Sequence, residues 1–296
     1  MGLLESPAHP ALAAGRATRT WRRVRLGDLL AALAVTLGGV IMFLPVAWMV
    51  LSSFKSSVEI LQAPPTFWPQ HPSLQAYGTV LSDPDHPLLT YVKNSTIVSL
   101  AVTTSVLFTS TLAGYVFAKF AFFGKNVLFV LVLSTLMVPF QVVMIPLYLV
   151  MRALDLVNTL WSLILPSLVS AFGIFLMKQF IEGLPTAMIE AGRIDGASEF
   201  TIYRRIIVPQ VIPALTALGL FTFMGTWNDY LWPLIMLNDE ATKTLALGIA
   251  SFNSFHGARY DLTLAASTLS VLPIVVLFVI FQRQFVRGIA LSGLKG

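Results

Sequence analysis

The run LLAALAVTLGGVIMFLPVAWMVL at residues 29–51 indicates a membrane-spanning helix, because it is apolar throughout and carries no charge. A helix of about 20 apolar residues is long enough to cross the ~30 Å hydrocarbon core of a bilayer. Further runs of this kind, with Asp229 as the one charged residue in the whole set, lie at 94–118, 126–150, 160–177, 208–237 and 262–282. We therefore predict an all-α integral membrane protein with six spanning helices, the fourth continuing to residue 181.

The composition leads to the same class of protein. Of 296 residues, 56% are hydrophobic and 11% are charged, whereas soluble domains carry about 25% charged residues. A membrane β-barrel would alternate polar and apolar residues over segments of roughly 10 residues, and these runs do not alternate. The chain has no cysteine, which excludes disulfides and thiol chemistry.

The distribution of lysine and arginine predicts the orientation. Six spans place both termini on one face, and that face receives 14 of the 19 basic residues. The opposite face receives Lys55, Lys93, Arg152, Lys243 and Arg259. The positive-inside rule then puts both termini in the cytoplasm, with residues 1–27 as a basic N-terminal segment and 28–296 as the transmembrane domain. The basic residues flank the spans and form no separate domain, so we expect no nucleic-acid partner.

Two long connections differ in character. The outer segment 52–91 holds six of the 17 prolines, Pro64, Pro65, Pro69, Pro72, Pro84 and Pro87, and is predicted to be an extended, ordered surface. The cytoplasmic loop at about 184–207 contains TAMIEAGRIDGASEFTIYRRII at 186–207, which favours helix. Pro185 suits a helix start, and Ala187, Ala191 and Ile194 then fall on one face as a stripe for a partner.

A second helix in this loop is predicted to begin at Asp195, whose carboxylate would cap the amides near Ala197 and Ser198. Gly196 would let backbone approach backbone at the bend between the two helices. Without a partner, the same segment would suit an amphipathic hairpin on the membrane surface.

The loop also carries a motif. It contains Glu190, Ala191 and Gly192, then Gly196 after three residues, then Ile206, Val208 and Pro209 after nine more. This spacing resembles the EAA loop of ABC importer permeases, with Gly192 in place of alanine and Val208 in place of leucine. TWNDYLWPL at 226–234 and FQRQFVRGIALSGLKG at 281–296 are similar to the carbohydrate branch of that family, the maltose-type and glycerol-3-phosphate-type permeases.

The resemblance implies a permease subunit of an ATP-driven importer in the inner (plasma) membrane of a prokaryote, with a sugar, oligosaccharide or glycerol-3-phosphate-like polyol as substrate. The first helix would pack outside a core of spans two to six. The implied partners are a second permease, two ATPase subunits and an extracytoplasmic substrate-binding protein. The implied coupling residues, which would dock on the ATPase, are Glu190, Ala191, Gly192, Asp195, Gly196 and Ala197. The sequence has no GxxxxGK[ST] motif, so ATP and Mg²⁺ would be held by the ATPase partners and no cofactor is expected on this chain.

Four residues are candidates for the substrate pathway. Asp229 is a charge inside a span, which is costly and often functional, although we favour helix positioning or a polar network over direct substrate contact. Asn228 would share a helical face with Trp232, where an amide and an aromatic ring suit a sugar, or would serve ordinary packing. Gln141, between Pro139 and Pro146, marks a bent third span or lines the pathway.

Other functions have less support. A secondary transporter driven by protons or sodium commonly carries paired carboxylates or an inverted repeat, and neither is present here. A membrane enzyme would need clustered His, Asp or Glu on the spans, and His71, His86 and His256 lack the spacing of metal ligands. Gly114 and Ala118 form a small-residue pair suited to close helix contact.

Overall fold

The computed structural model describes residues 26–254 and 257–293. The basic segment up to residue 25, His256 and Lys295 lie outside the described residues. The chain divides into two compact units, residues 1–47 and 48–296. The first helix, α1 (Leu26–Ser52), contains Pro45 and passes from one unit into the other.

The second unit begins with short helices on the proline-rich segment, α2 (Ser57–Ile60) and α3 (Gln75–Ser82). Its long central helix is α4 (Leu88–Lys119). The fourth predicted span consists of α7 (Trp161–Ile164), a 3-10 turn (Leu165–Ser167) and α8 (Ala171–Glu182). The loop that follows contains α9 (Thr186–Ile194) and α10 (Glu199–Ile202), and α10 leads into a π-helical segment (Tyr203–Ile207).

The third predicted span is bent, as Pro139 suggested. It consists of α5 (Lys125–Ser134) with a 3-10 turn (Thr135–Met137) and α6 (Phe140–Ala153), and the two parts meet at 99°. The break falls at Val138, which is extended because a following proline disfavours helical backbone.

The expectation of one continuous helix over 208–237 is wrong. This region contains α11 (Val208–Gln210), α12 (Ile212–Trp227) and α13 (Leu231–Met236), and the chain bends by 80° between α11 and α12. Pro213 has no amide hydrogen to continue the ladder of the preceding turn, and Pro233 likewise cannot donate to the carbonyl of Asp229. Prolines placed within an apolar run therefore interrupt the helix twice.

The remaining elements are α14 (Leu245–Ser251), a hairpin of two-residue strands and α15 (Tyr260–Gly293). The strands β1 (Asn253–Ser254) and β2 (Gly257–Ala258) pair antiparallel and were not predicted. Within the described part of the chain, four stretches are long and apolar enough to cross a membrane: Leu26–Ser52, Leu88–Lys119, Trp161–Glu182 and Tyr260–Gln282. Counting each bent pair as one span gives six, so the helical fold is confirmed and the number of spans stays a prediction.

The core of the second unit is built around α4, which packs against α8 and α12, while α12 also packs against α15. Gly114 is a point of close approach between α4 and α8, because a Cβ atom there would lie 2.8 Å from Met177 Cβ. The small residue predicted for close helix contact at position 114 is thus confirmed.

Candidate functional site

The predicted coupling loop begins as expected, with α9 starting directly after Pro185. Ile189 is only 1% exposed, and a Cβ atom at Gly192 would lie 3.0 Å from Ile206 Cδ1, so this face of α9 packs on its own chain. The opposite face is open. It comprises Ala187, Ala191 and Ile194, and Ile194 is 86% exposed.

The end of α9 is closed by backbone hydrogen bonds. The amide of Ala197 donates to the carbonyl of Gly192 at 2.9 Å, and the amide of Gly196 donates to the carbonyl of Arg193 at 3.0 Å. Gly196 has φ +75°, the left-handed conformation that this Schellman ending requires. The predicted close backbone approach at Gly196 is wrong, since a Cβ atom there would meet no described heavy atom within 4 Å.

The second helix of the loop begins at Glu199, four residues later than predicted. Ser198 is its cap, with Oγ accepting a hydrogen bond from the amide of Thr201 at 3.3 Å. Asp195 instead ends α9. The reason is that the left-handed Gly196 separates Asp195 from the second helix, and Ser198 is the next residue with the extended backbone of an N-cap.

Glu199 connects the two helices of the loop to each other and to α4. Its carboxylate accepts hydrogen bonds from Arg193 Nε at 2.6 Å and from the Tyr115 hydroxyl at 2.9 Å. This ion pair raises the pKa of the Arg193 guanidinium. Lys119, at the end of α4, donates to the carbonyl of Leu184 at 2.6 Å. The loop is therefore a fixed extension of α4 and α8.

The six predicted coupling residues divide into two groups. Glu190, Ala191, Asp195 and Gly196 are exposed, whereas Gly192 is buried and Ala197 is half-buried. The outward group offers a surface to another chain, and the inward pair shapes the loop itself.

Two of the pathway candidates, Asn228 and Asp229, lie at the second helix break. Asn228 ends α12, and its Nδ2 donates to the carbonyl of Met224 at 2.9 Å. The amides of Tyr230, Leu231 and Trp232 face the Asp229 carboxylate, so Asp229 lies at the positive end of α13. This arrangement orients α13 relative to α12.

Asn228 and Trp232 do not share a helical face, because the chain is not helical between them. Trp232 is buried, and its Nε1 donates to the carbonyl of Ser162 at 3.0 Å. Its ring packs edge-to-face on Phe140, with centroids 5.6 Å apart. Gln141 lies exposed in the first turn of α6. Asn228 and Gln141 are therefore the accessible candidates, and Trp232 is a packing residue.

Asp229 also borders a cavity of about 140 Å³ between α4, α7, α12 and α13. Its lining includes the polar side chains of Ser167, Thr226 and Thr244 beside Val98, Leu163, Gly225 and Pro233. The Thr244 hydroxyl is buried without a hydrogen-bond partner in the described structure. Sequence reasoning missed Ser167 and Thr244, because neither carries a charge or a motif and only the fold brings them to Asp229.

Thr244 is positioned by a polar network that joins its loop to α4. Asn94 Nδ2 donates to the carbonyls of Ala241 and Lys243, each at 2.9 Å. Glu240 accepts hydrogen bonds from Tyr91 and Lys243. Burial acts to raise the pKa of Glu240, but these two donors outweigh it and hold that pKa below its ordinary value.

No group of three or more His, Asp or Glu side chains within residues 26–254 and 257–293 is arranged to hold a metal ion. What the site offers is an exposed helical stripe on a rigid loop and a polar cavity at a helix break. Both belong to the same unit and are connected through α4, α8 and α12.

Comparison with known protein families identifies the chain. The family described as binding-protein-dependent transport system inner membrane component matches residues 107–291, a range that includes both the loop and the helix break. The chain belongs to this family. The permease is thus a multi-pass inner-membrane subunit of an ABC transport system and not an enzyme, and its 184–207 loop carries the EAA motif that is typical of the family.

Relatives of the permease cover nearly its whole length. It is 35% identical to the arabinooligosaccharides transport system permease protein of Halalkalibacterium halodurans, over 85% of this chain and 91% of that protein. It is 34% identical to the lactose transport system permease protein of Rhizobium radiobacter, over 91% of this chain and 97% of that one.

The fold of the permease also matches a solved structure. A bacterial ABC transporter involved in the import of the acidic polysaccharide alginate contains a chain that superposes with a TM-score of 0.75. The match covers 89% of the permease and 98% of that chain, at 22% sequence identity.

Proposed function

We propose that the permease forms half of the translocation pathway of an ATP-driven importer for a sugar, an oligosaccharide or a glycerol-3-phosphate-like polyol. The observation that carries this proposal is the exposed stripe of α9, held on a loop that Glu199 fastens to α4. A rigid loop with an open apolar face can transmit the movement of a partner to the spans. The arabinooligosaccharide and lactose permeases support the carbohydrate class.

The proposed complex contains a second permease, two ATPase subunits and an extracytoplasmic binding protein. ATP and Mg²⁺ are held by the ATPases. Closure of the ATPase pair on ATP draws the two coupling loops together and turns the pathway outward, and hydrolysis resets it. A solved alginate transporter in complex with a pentasaccharide-bound periplasmic protein supports the inclusion of a binding protein.

The proposed topology has six spans with both termini in the cytoplasm. The 14 to 5 division of basic residues supports it. In this arrangement the loop at 184–207 reaches the cytoplasmic ATPases, and the segments 52–91 and 237–245 face the binding protein.

The test is reconstitution of the whole complex. The permease is co-expressed with candidate ATPase, second-permease and binding-protein chains, and uptake of labelled mono- and oligosaccharides is measured in proteoliposomes. Uptake should require ATP and the binding protein. Uptake driven by a sodium or proton gradient without the ATPase would instead establish a secondary transporter.

A further inference from the structure

In the segment between α1 and α3, two charged side chains are covered and several large apolar side chains are exposed, beside exposed polar residues such as Gln62 and His71. Lys55 is 3% exposed and Glu59 is 8% exposed. Val58 is 82% exposed, Leu61 66% and Trp68 69%. A surface loop in water shows the reverse distribution, because exposed apolar area is unfavourable there and buried charge is costly. This distribution is expected where the surroundings of the loop are themselves apolar.

The buried polar groups hold the segment in one conformation. The Glu59 carboxylate accepts hydrogen bonds from the amide of Gln70 at 2.8 Å and from Thr66 Oγ1 at 3.1 Å. Lys55 donates to the carbonyl of Thr66, and the amide of Ser73 donates to the carbonyl of Phe54 at 2.9 Å. The apolar side chains are thus presented outward by a hydrogen-bonded scaffold.

Three aromatic rings of this surface form a continuous row of contacts. Trp48 and Phe67 have ring centroids 5.6 Å apart, and Phe67 and Trp68 are also 5.6 Å apart and nearly perpendicular. Trp48 belongs to the last two turns of α1, an apolar helix long enough to span a bilayer. This row of rings therefore begins near the end of α1 and extends into the loop that follows it. Lys55 Nζ lies 4.5 Å above the Trp48 ring and stabilises it by a cation–π contact.

We propose that Trp48, Phe67 and Trp68 form an aromatic anchor that inserts into the boundary between lipid headgroups and acyl chains. Tryptophan is enriched at this boundary because its ring is apolar while its N–H remains hydrogen-bonded. The anchor holds the proline-rich segment flat against the bilayer. The side of the membrane on which it lies rests on the proposed topology, whereas contact with lipid does not.

The absence of cysteine from the chain allows a direct depth measurement. A nitroxide is attached to Trp68→Cys in the assembled complex, reconstituted in phosphatidylcholine–phosphatidylglycerol liposomes. Its collision rates with oxygen, which concentrates in lipid, and with a water-soluble nickel chelate are compared. Gln75→Cys is the matched control, because Gln75 is exposed on α3 in the same outer segment.

We expect opposite results at the two positions. Collisions with oxygen should relax the label at position 68 more than collisions with the nickel chelate do. At position 75 the nickel chelate should relax the label more than oxygen does. Nickel dominance at 68 would overturn the anchor. Shielding of the label at position 68 from both reagents would also overturn it, and so would shielding that appears only when the binding protein is added. In either case the three aromatic residues would lie in a protein interface. Reconstituted uptake in the same samples tests the proposed function separately.

Discussion

Arg193 and Glu199 form an ion pair with Nε 2.6 Å from Oε1, and this contact joins the two helices of the coupling loop. Both side chains are close to half exposed, so solvent screens the pair and it contributes little to folding stability. Tyr115 is different, because it is only 2% exposed and donates to the same carboxylate. The two interactions of Glu199 can therefore be separated by mutation.

We expect Glu199→Ala to destabilise the permease more than Arg193→Ala. Removing Glu199 leaves the buried Tyr115 hydroxyl without its acceptor, which costs ~1–3 kcal/mol, whereas Arg193→Ala removes only an exposed pair. Thermal unfolding of the purified complex measures both. Adding Tyr115→Phe should recover part of the loss in Glu199→Ala, and equal unfolding temperatures for the two single variants would contradict this account.

Gly196 tests the contact with the ATPase. Its positive φ costs ~1–2 kcal/mol for a residue with a Cβ, and Asn tolerates it better than Ala. No described atom lies within 4 Å of a Cβ atom at this position, so the first atom of a new side chain meets no clash within the described residues. Gly196→Arg should therefore insert normally and lose uptake and ATPase retention, while Gly196→Asn retains both. If Gly196→Arg and Gly196→Asn behaved alike, the loop would not be the coupling element.

Close packing of α4 on α8 is expected to depend on Gly114. Gly114→Ala would place a Cβ atom 2.8 Å from Met177 Cβ and 2.9 Å from the Lys178 amide nitrogen, and such overpacking costs ~1–3 kcal/mol. Gly78→Ala on α3 is the control, because its Cβ atom meets nothing within 4 Å. Unfolding temperature in detergent should fall for position 114 and stay the same or rise for position 78.

The pathway predictions distinguish Asn228 from Asp229. Asn228→Ala should impair uptake or change sugar preference while the complex still assembles, because its amide is exposed at the helix break. Asp229→Asn should reduce folding or assembly more than selectivity, because the charge at the start of α13 is lost. Uptake with competing sugars and gel filtration of the complex measure the two effects. Normal uptake and unchanged competition in Asn228→Ala would remove the pathway role.

Topology can be tested by labelling single cysteines with an impermeant thiol reagent in intact cells. Cysteines at Ser73 and Ala241 should react, and one at Ser198 should react only after the cells are opened, since the positive-inside rule places it in the cytoplasm. All three positions are exposed. Labelling of position 198 in intact cells would reverse the orientation.

The helical membrane class and the start of α9 after Pro185 could be predicted from the sequence alone. Both depend on local chemistry: an apolar run long enough to cross a bilayer and a residue without an amide hydrogen. The reason for glycine at position 196, its positive φ, became clear only in the folded chain. The motif at 190–209 is equally local, so its spacing could be read without the fold.

The connections between these parts depend on tertiary packing. Asp195 and Ser198 are both good caps in sequence, and the Schellman ending at Gly196 selects Ser198. Glu199 meets Tyr115 across 84 positions of sequence, and the cavity at Asp229 gains Thr244 from a loop held by Asn94. Local periodicity carries no information about such pairs, because they form only when α4 packs against distant helices.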